Sequence, residues 1–163
     1  MRLLDKRFRG RIRVHIEPCE KGLKWLKRNY EELLEAIFRG RLRTHVEHHE
    51  NGQKRVKGNY MDDRKDGLWT YWNNNGQKWL ERNYNCGKRD GCWAFWHENG
   101  QKWLEGNYKN SKKEGLETEW SVNGQKKKQG PYKDGKEDGT WTYWNEDGSV
   151  AKTQTYREGN RVG

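Results

Sequence analysis

The chain of 163 residues is long enough for one ordinary domain, but 36% of it is charged and only 30% is hydrophobic, which excludes a thick globular core. A net charge of +10 with low hydrophobicity would suit disorder, yet aromatic residues make up 13% of the chain and recur at fixed spacing, which disorder does not produce. The basic excess is N-terminal, with 16 Lys/Arg against 8 Asp/Glu in residues 1–60 and 18 against 16 in the remainder. Such an excess attracts nucleic acid or anionic lipid; it equally keeps an aromatic-rich protein in solution.

The opening stretch, MRLLDKRFRGRIRVHIEPCEKG, is broken by charges and no run of about 18 apolar residues follows anywhere. The sequence therefore reads as cytoplasmic, at most peripheral to a membrane. Cys19, Cys86 and Cys92 lack the spacing of a disulfide scaffold and read as free thiols.

Residues 1–42 form a basic lead and a degenerate cap unit beginning at Arg13, with Gly22 at its turn and Tyr30 at its end. Within Glu31–Leu42, the residues Leu33, Leu34, Ile37 and Phe38 have the spacing of a short amphipathic helix, a helical insertion near residues 31–38. From residue 43 to 163 the pattern is periodic. GLWTYWNNNGQKWLERNYNCGKRD at Gly67 and GCWAFWHENGQKWLEGNYKNSKKE at Gly91 match position by position, and further units begin near Arg43, Gly115 and Gly139. A repeat of this length buries its apolar face only against its neighbours.

Within each unit an aromatic run such as GLWTYWN and a return run such as KWLERNY flank a turn glycine, giving strand, turn, strand. The structural turn glycines are Gly52, Gly76, Gly100, Gly124 and Gly148, preceded by Asn in four of the five. Asn-Gly points to a two-residue turn with positive φ. That turn would set Trp72 opposite Trp79 and Trp96 opposite Trp103, on the face away from Trp69, Tyr71, Leu80 and Tyr84. The short Gly- and Asp-rich links make successive hairpins antiparallel neighbours. The predicted fold is all-β: an elongated single-layer antiparallel sheet of about six tandem 24-residue hairpins.

Gly130-Pro-Tyr132-Lys-Asp-Gly135-Lys-Glu-Asp-Gly139-Thr-Trp141 resembles the Gly-x-Tyr-x-x-Gly-x-x-x-Gly-x-Trp rhythm of MORN (membrane occupation and recognition nexus) repeats. The recurring Asn-Gly-Gln-Lys is similar to the bacterial variant of YwqK-type antitoxin-component proteins. The resemblance implies an elongated hairpin sheet without catalytic machinery, attachment to a protein or a membrane, and in the bacterial variant an antitoxin role. Ser111 and Asp63 depart from the link glycine of Gly87 and Gly135.

No phosphate loop, nucleophile elbow or Cys-x-x-Cys pair is present, and no base, nucleophile and orienting group form a set, so no catalysis and no cofactor are expected. Asp66, Asp90, Glu114 and Asp138 recur before a turn glycine, which argues for turn chemistry. The metal candidates are His15, Glu17, His45 and Glu47, which share a face if the first two units stack in register; exposed polar substitutions on end hairpins are the simpler reading. Glu117 and Glu119 stand where aromatics are expected, through drift at exposed positions or as an acidic notch for a basic partner.

The expected function is a non-enzymatic scaffold that binds another protein through Trp69, Trp72, Trp79, Trp93, Trp96, Trp103, Trp120, Trp141 and Trp144. The alternatives are a tether to anionic membrane and single-strand nucleic-acid binding by tryptophan stacking. Open sheet edges allow oligomers.

Overall fold

The computed structural model describes residues 41–163. The unit starting at Arg13, the helical insertion and the metal candidates His15 and Glu17 lie outside the described residues. Strands β1 (Leu42–His48), β2 (Lys54–Met61), β3 (Arg64–Trp72), β4 (Lys78–Asn85), β5 (Lys88–Trp96) and β6 (Lys102–Lys109) open the sheet. It continues with β7 (Lys112–Lys113), β8 (Gly115–Trp120), β9 (Lys126–Lys133), β10 (Lys136–Glu137), β11 (Gly139–Trp144), β12 (Val150–Arg157) and β13 (Asn160–Arg161). All thirteen belong to one open antiparallel sheet whose strand order follows the chain, with the short β7 and β10 pairing on β6 and β9 beside β8 and β11. There is no helix among the described residues. The eleven strands of the main path extend over roughly 50 Å at the usual interstrand spacing.

The hairpin turn differs from the two-residue form expected from Asn-Gly. Gly76 N–H donates to Asn73 O at 2.9 Å and Asn73 N–H to Gln77 O at 2.8 Å, so the turn is Asn73–Gly76. Gly76 alone of these takes positive φ, at 80°. Asn75 instead accepts the Gln77 N–H on its side chain at 2.9 Å, and Asn51, Asn99, Asn123 and Asp147 do the same for the residue two further on. The longer turn carries a bulge, so Trp72 pairs with Lys78 and Tyr71 with Leu80, leaving Trp79 unpaired between them. Trp72 therefore does not face Trp79, and Trp96 faces Lys102 and not Trp103. One inserted residue has moved Trp79 and Trp103 to the opposite face.

The two-residue turns lie instead in the links between units. Asp62-Asp63, Cys86-Gly87, Asn110-Ser111, Asp134-Gly135 and Glu158-Gly159 all have positive φ at both positions, as a mirror-image hairpin turn requires. Asp63 and Ser111 hold φ of 58° and 68° where the other links have glycine, so these two links carry the added strain of a second side chain. Each later link is anchored to the one before: Gly87 N–H donates to Lys65 O, Ser111 to Arg89 O, Gly135 to Lys113 O and Gly159 to Glu137 O, at 2.7–2.9 Å. The recurring carboxylates complete the anchor. Asp66 accepts the Cys86 N–H, Asp90 the Asn110 N–H and Glu114 the Asp134 N–H, at 3.0–3.2 Å. Burial pushes the Asp66 carboxyl up, against the pull of the Cys86 N–H.

At the opposite rim the long turns are tied by side chains. His49 Nε2 lies 2.8 Å from Trp72 O and Asn51 donates to Asn74 O at 2.6 Å. His97 and Asn99 repeat this with Trp120 O and Val122 O at 3.3 and 2.8 Å.

The core is one row of side chains on a single face. Val56, Trp69, Leu80, Trp93 and Trp141 are its buried apolar members. Each indole occupies the space above a glycine on a neighbouring strand: Trp69 over Gly58, Trp93 over Gly106 and Trp141 over Gly130. With no second layer of secondary structure among the described residues, glycine beneath tryptophan supplies the close packing that a facing layer normally gives. The Trp93 and Trp141 indole N–H groups are buried without an acceptor, whereas that of Trp69 donates to Asn59 O at 3.1 Å.

Candidate functional site

The pleat sorts the aromatic side chains onto two faces. The first face carries Trp69, Trp93 and Trp141, with Tyr60, Tyr84, Tyr108 and Tyr132 beside them toward the links. Trp69 is 1% exposed and Trp141 0%, and Trp93 is also buried. These three were expected at a partner interface; they are core, because each has a glycine to sink onto. Toward the long turns the same face carries an outer shelf, Tyr71, Trp79, Phe95 and Trp103, with successive ring centroids 5.8, 6.2 and 5.9 Å apart. Trp79 and Trp103 remain 37% and 42% exposed.

The shelf ends in an ion pair on each side. In the first hairpin Glu47 and Arg55 stand where Tyr71 and Trp79 stand in the next, and they form a salt bridge. In the fourth hairpin Glu119 and Lys127 hold the same positions and bond at 3.0 Å. An aromatic contact has been exchanged as a unit for a charged one.

These pairs decide several expectations. Glu117 is not a residue drifting at an exposed position: it is 4% exposed and bound to Lys113. It stands where a tryptophan would, between Gly106 and Gly130, and the indoles of Trp93 and Trp141 already fill the space above both glycines. Burial works against the charge of Glu119, yet Lys127 and Lys128 hold its carboxyl below the usual range. Neither acid is open to a basic partner. Of the metal candidates, Glu47 bonds Arg55 and lies 2.9 Å from His45, whose ring stacks on Trp69 at 5.5 Å. The Arg55 and His45 hydrogen bonds lower the Glu47 pKa. No group of three metal-ligating side chains exists among the described residues. Cys86 is a free, exposed thiol at a link, whereas Cys92 is not free, which corrects the reading of three free thiols.

The second face presents Trp72, Trp96, Trp120 and Trp144, one in each hairpin from the second to the fifth and each partly exposed. A lysine from the preceding hairpin lies over each of the last three: Lys78 at 4.7 Å from Trp96, Lys102 at 5.8 Å from Trp120 and Lys126 at 5.7 Å from Trp144. Lys78 and Lys102 also pair with Glu81 and Glu105 at 2.9 and 2.8 Å. This lysine ladder was not foreseen, although Lys54, Lys78, Lys102 and Lys126 recur beside four of the long turns at 24-residue spacing. A shallow groove opens at the rim between the first two long turns, lined by His49, Arg55, Val56, Tyr71, Asn73 and Trp79.

The model of the MORN repeat variant matches residues 65–85, 89–110, 113–134 and 137–158. Each matched segment begins beside one link and ends at or just before the next, so it coincides with one hairpin. The chain belongs to the MORN repeat variant family. The Arg43 hairpin of this MORN repeat protein precedes the matched segments but pairs in the same bulged register. No curated protein matches the chain. Among solved structures it is similar to TarM, with 13% identity and a TM-score of 0.38 over 82% of this chain and 25% of that one. A mutant of S. aureus TarM in complex with Fondaparinux, alpha-GlcNAc-glycerol and UDP gives 12% identity, the same TM-score and the same coverage. The GtfA/B complex bound to UDP and GlcNAc gives 11% identity and 0.28, over 70% of this chain and 24% of that one. The MORN repeat chain thus spans about a quarter of the length of these proteins.

Proposed function

We propose that this MORN repeat protein is a non-enzymatic scaffold that binds another protein along the tryptophan row of its second face. The observation that carries the reading is the identical placement of Trp72, Trp96, Trp120 and Trp144 in four successive hairpins, each partly exposed. Tryptophan gives large contact area at little entropic cost and is enriched in interface cores. The lysines above the row hold the indoles in position and leave a rim of alternating charge. A toxin neutralised along this row, an antitoxin or immunity role in the cytoplasm, would be one such partner. The carboxylates Asp66, Asp90 and Glu114 hold turns, which supports a non-catalytic reading. Pairing of open sheet edges between copies would extend the row.

Affinity capture with the full chain and with the Trp72→Ala/Trp96→Ala variant tests the reading, with folding of the variant checked by thermal unfolding. A protein retained by the former and lost by the latter supports it. Equal retention by a folded variant ends it. Salt-sensitive co-sedimentation with anionic but not neutral liposomes, and no protein partner, would make the chain a membrane tether instead.

A further inference from the structure

Six lysine and arginine side chains of the described sheet are partly buried: Lys65, Lys78, Arg82, Arg89, Lys113 and Lys128. Three have a carboxylate partner, Lys78 with Glu81, Lys113 with Glu117 and Lys128 with Glu119. The other three form no ion pair among the described residues, and they are not scattered. Lys65, Arg82 and Arg89 lie on the adjacent strands β3, β4 and β5, all on the first face, around Tyr84. Lys65 Nζ is 5.4 Å from the Tyr84 ring, Arg89 is the cross-strand partner of Tyr84, and Arg82 precedes it by two residues.

What these cations do contact is aromatic or phenolic. Lys65 Nζ lies 4.0 Å from the Trp69 ring and donates to the Tyr71 hydroxyl at 3.1 Å; Arg89 donates to the Tyr108 hydroxyl at 3.3 Å. Such contacts hold a cation in place but leave its charge uncompensated. The flanking acids of the same face, Glu47, Glu117 and Glu119, are already engaged by Arg55, Lys113, Lys127 and Lys128.

The cluster adjoins the aromatic shelf through one contact. The Arg82 guanidinium lies 5.5 Å from the Phe95 ring, and Phe95 stands between Trp79 and Trp103, the two exposed tryptophans of the described residues. Unpaired cations beside open aromatic rings fit a ligand that alternates negative charge with flat rings. We propose that the first face across β3 to β6 binds single-stranded nucleic acid, its phosphates against Lys65, Arg82 and Arg89 and its bases on Trp79, Phe95 and Trp103. An acidic protein segment would satisfy the cations, but it carries no flat ring beside each charge to lie on Trp79, Phe95 and Trp103; the rim groove meets the cluster only through Tyr71. A duplex keeps its bases stacked within itself and would meet the cations alone. This site is on the opposite face from the tryptophan row of the scaffold reading, and either can fail without the other.

The test uses the full chain and a fluorescein-labelled oligothymidylate of about fifteen nucleotides, within the site sizes of known single-strand folds. Saturable binding should quench tryptophan fluorescence, and log affinity should fall against log salt with a slope near −2, from about 0.7 per phosphate at three cations. The Lys65→Gln/Arg82→Gln/Arg89→Gln variant should lose at least about tenfold in affinity, and most of the slope with it. Trp103→Ala should bind about tenfold more weakly with the slope unchanged. Gln154 occupies the position equivalent to Arg82 in the last hairpin and Glu137 the one equivalent to Lys65, so the sheet accepts an uncharged side chain at the first position and does not require a cation at the second. Wild-type affinity in the folded triple variant overturns the proposal. Equal competition by polyglutamate or by duplex of the same sequence also overturns it, and that arm decides if the triple variant does not fold.

Discussion

Gly130 lies directly beneath the Trp141 indole, where a Cβ would come within 2.2 Å of the ring. Gly58 stands in the same relation to Trp69, again at 2.2 Å. Neither glycine has positive φ, so only the close approach demands it. Gly58→Ala and Gly130→Ala should each destabilise the sheet by about 1–3 kcal/mol through overpacking. Gly148→Asn, in an open turn where the φ of 83° is the sole penalty, should cost less, about 1 kcal/mol. Denaturant unfolding of the three variants checks the order.

Glu117→Trp would restore the residue that the repeat calls for and should nevertheless destabilise the protein. The spaces above Gly106 and Gly130 are occupied, and the substitution also strands Lys113. A loss of about 1–3 kcal/mol in thermal or denaturant unfolding is expected. A gain in stability would mean that the flanking indoles can move aside.

The exchange of an aromatic pair for an ion pair makes Glu119 and Lys127 a coupled unit. Glu119→Tyr and Lys127→Trp should each destabilise alone, the second leaving Glu119 with Lys128 as its remaining partner. Together they recreate the Tyr71–Trp79 contact, and the double variant should be more stable than the sum of the singles by at least about 0.5 kcal/mol. Strict additivity in a double-mutant cycle would deny the coupling.

Burial, and then the nearby Glu117 and Glu137 carboxylates, raise the Tyr132 hydroxyl well above the ordinary tyrosine range. A raised acid keeps its proton in the folded state while the unfolded chain releases it. Its contribution is therefore fully present below the ordinary tyrosine pKa and is lost as pH rises beyond it. Unfolding midpoints measured through the alkaline range should fall for the wild type and fall less steeply for Tyr132→Phe. Parallel curves would remove Tyr132 as the cause.

Much of the fold was legible because the repeat is. The 24-residue recurrence of Tyr84, Gly91 and Trp93 names the strands, the links and the neighbour order. What misled was local: Asn-Gly signals a two-residue turn, but here Asn75 uses its side chain to hold Gln77 and only Gly76 needs the left-handed region. The added residue inverted the face of Trp79 and Trp103. The division of the tryptophans into core and surface was equally hidden. It rests on glycines one strand away, Gly58 for Trp69 and Gly106 for Trp93, and no pattern within a single strand reveals such a partner. The cation cluster was invisible for the opposite reason: Lys65, Arg82 and Arg89 look like every other basic residue until the missing carboxylates beside them are seen.

The side-chain ties at the long-turn rim run from His49 and Asn51 to the next turn, and again from His97 and Asn99 to the next, but they skip the step between. Gly100 and Gly148 face open space, whereas Gly76 and Gly124 lie against Gln53 and Gln101. Mechanically the array is therefore not a uniform ribbon of 24-residue links. Its rim is stitched in twos, and when the sheet flexes or twists against a load, the seams should open first between the turns at residues 73–77 and 97–101, and between those at 121–125 and 145–149.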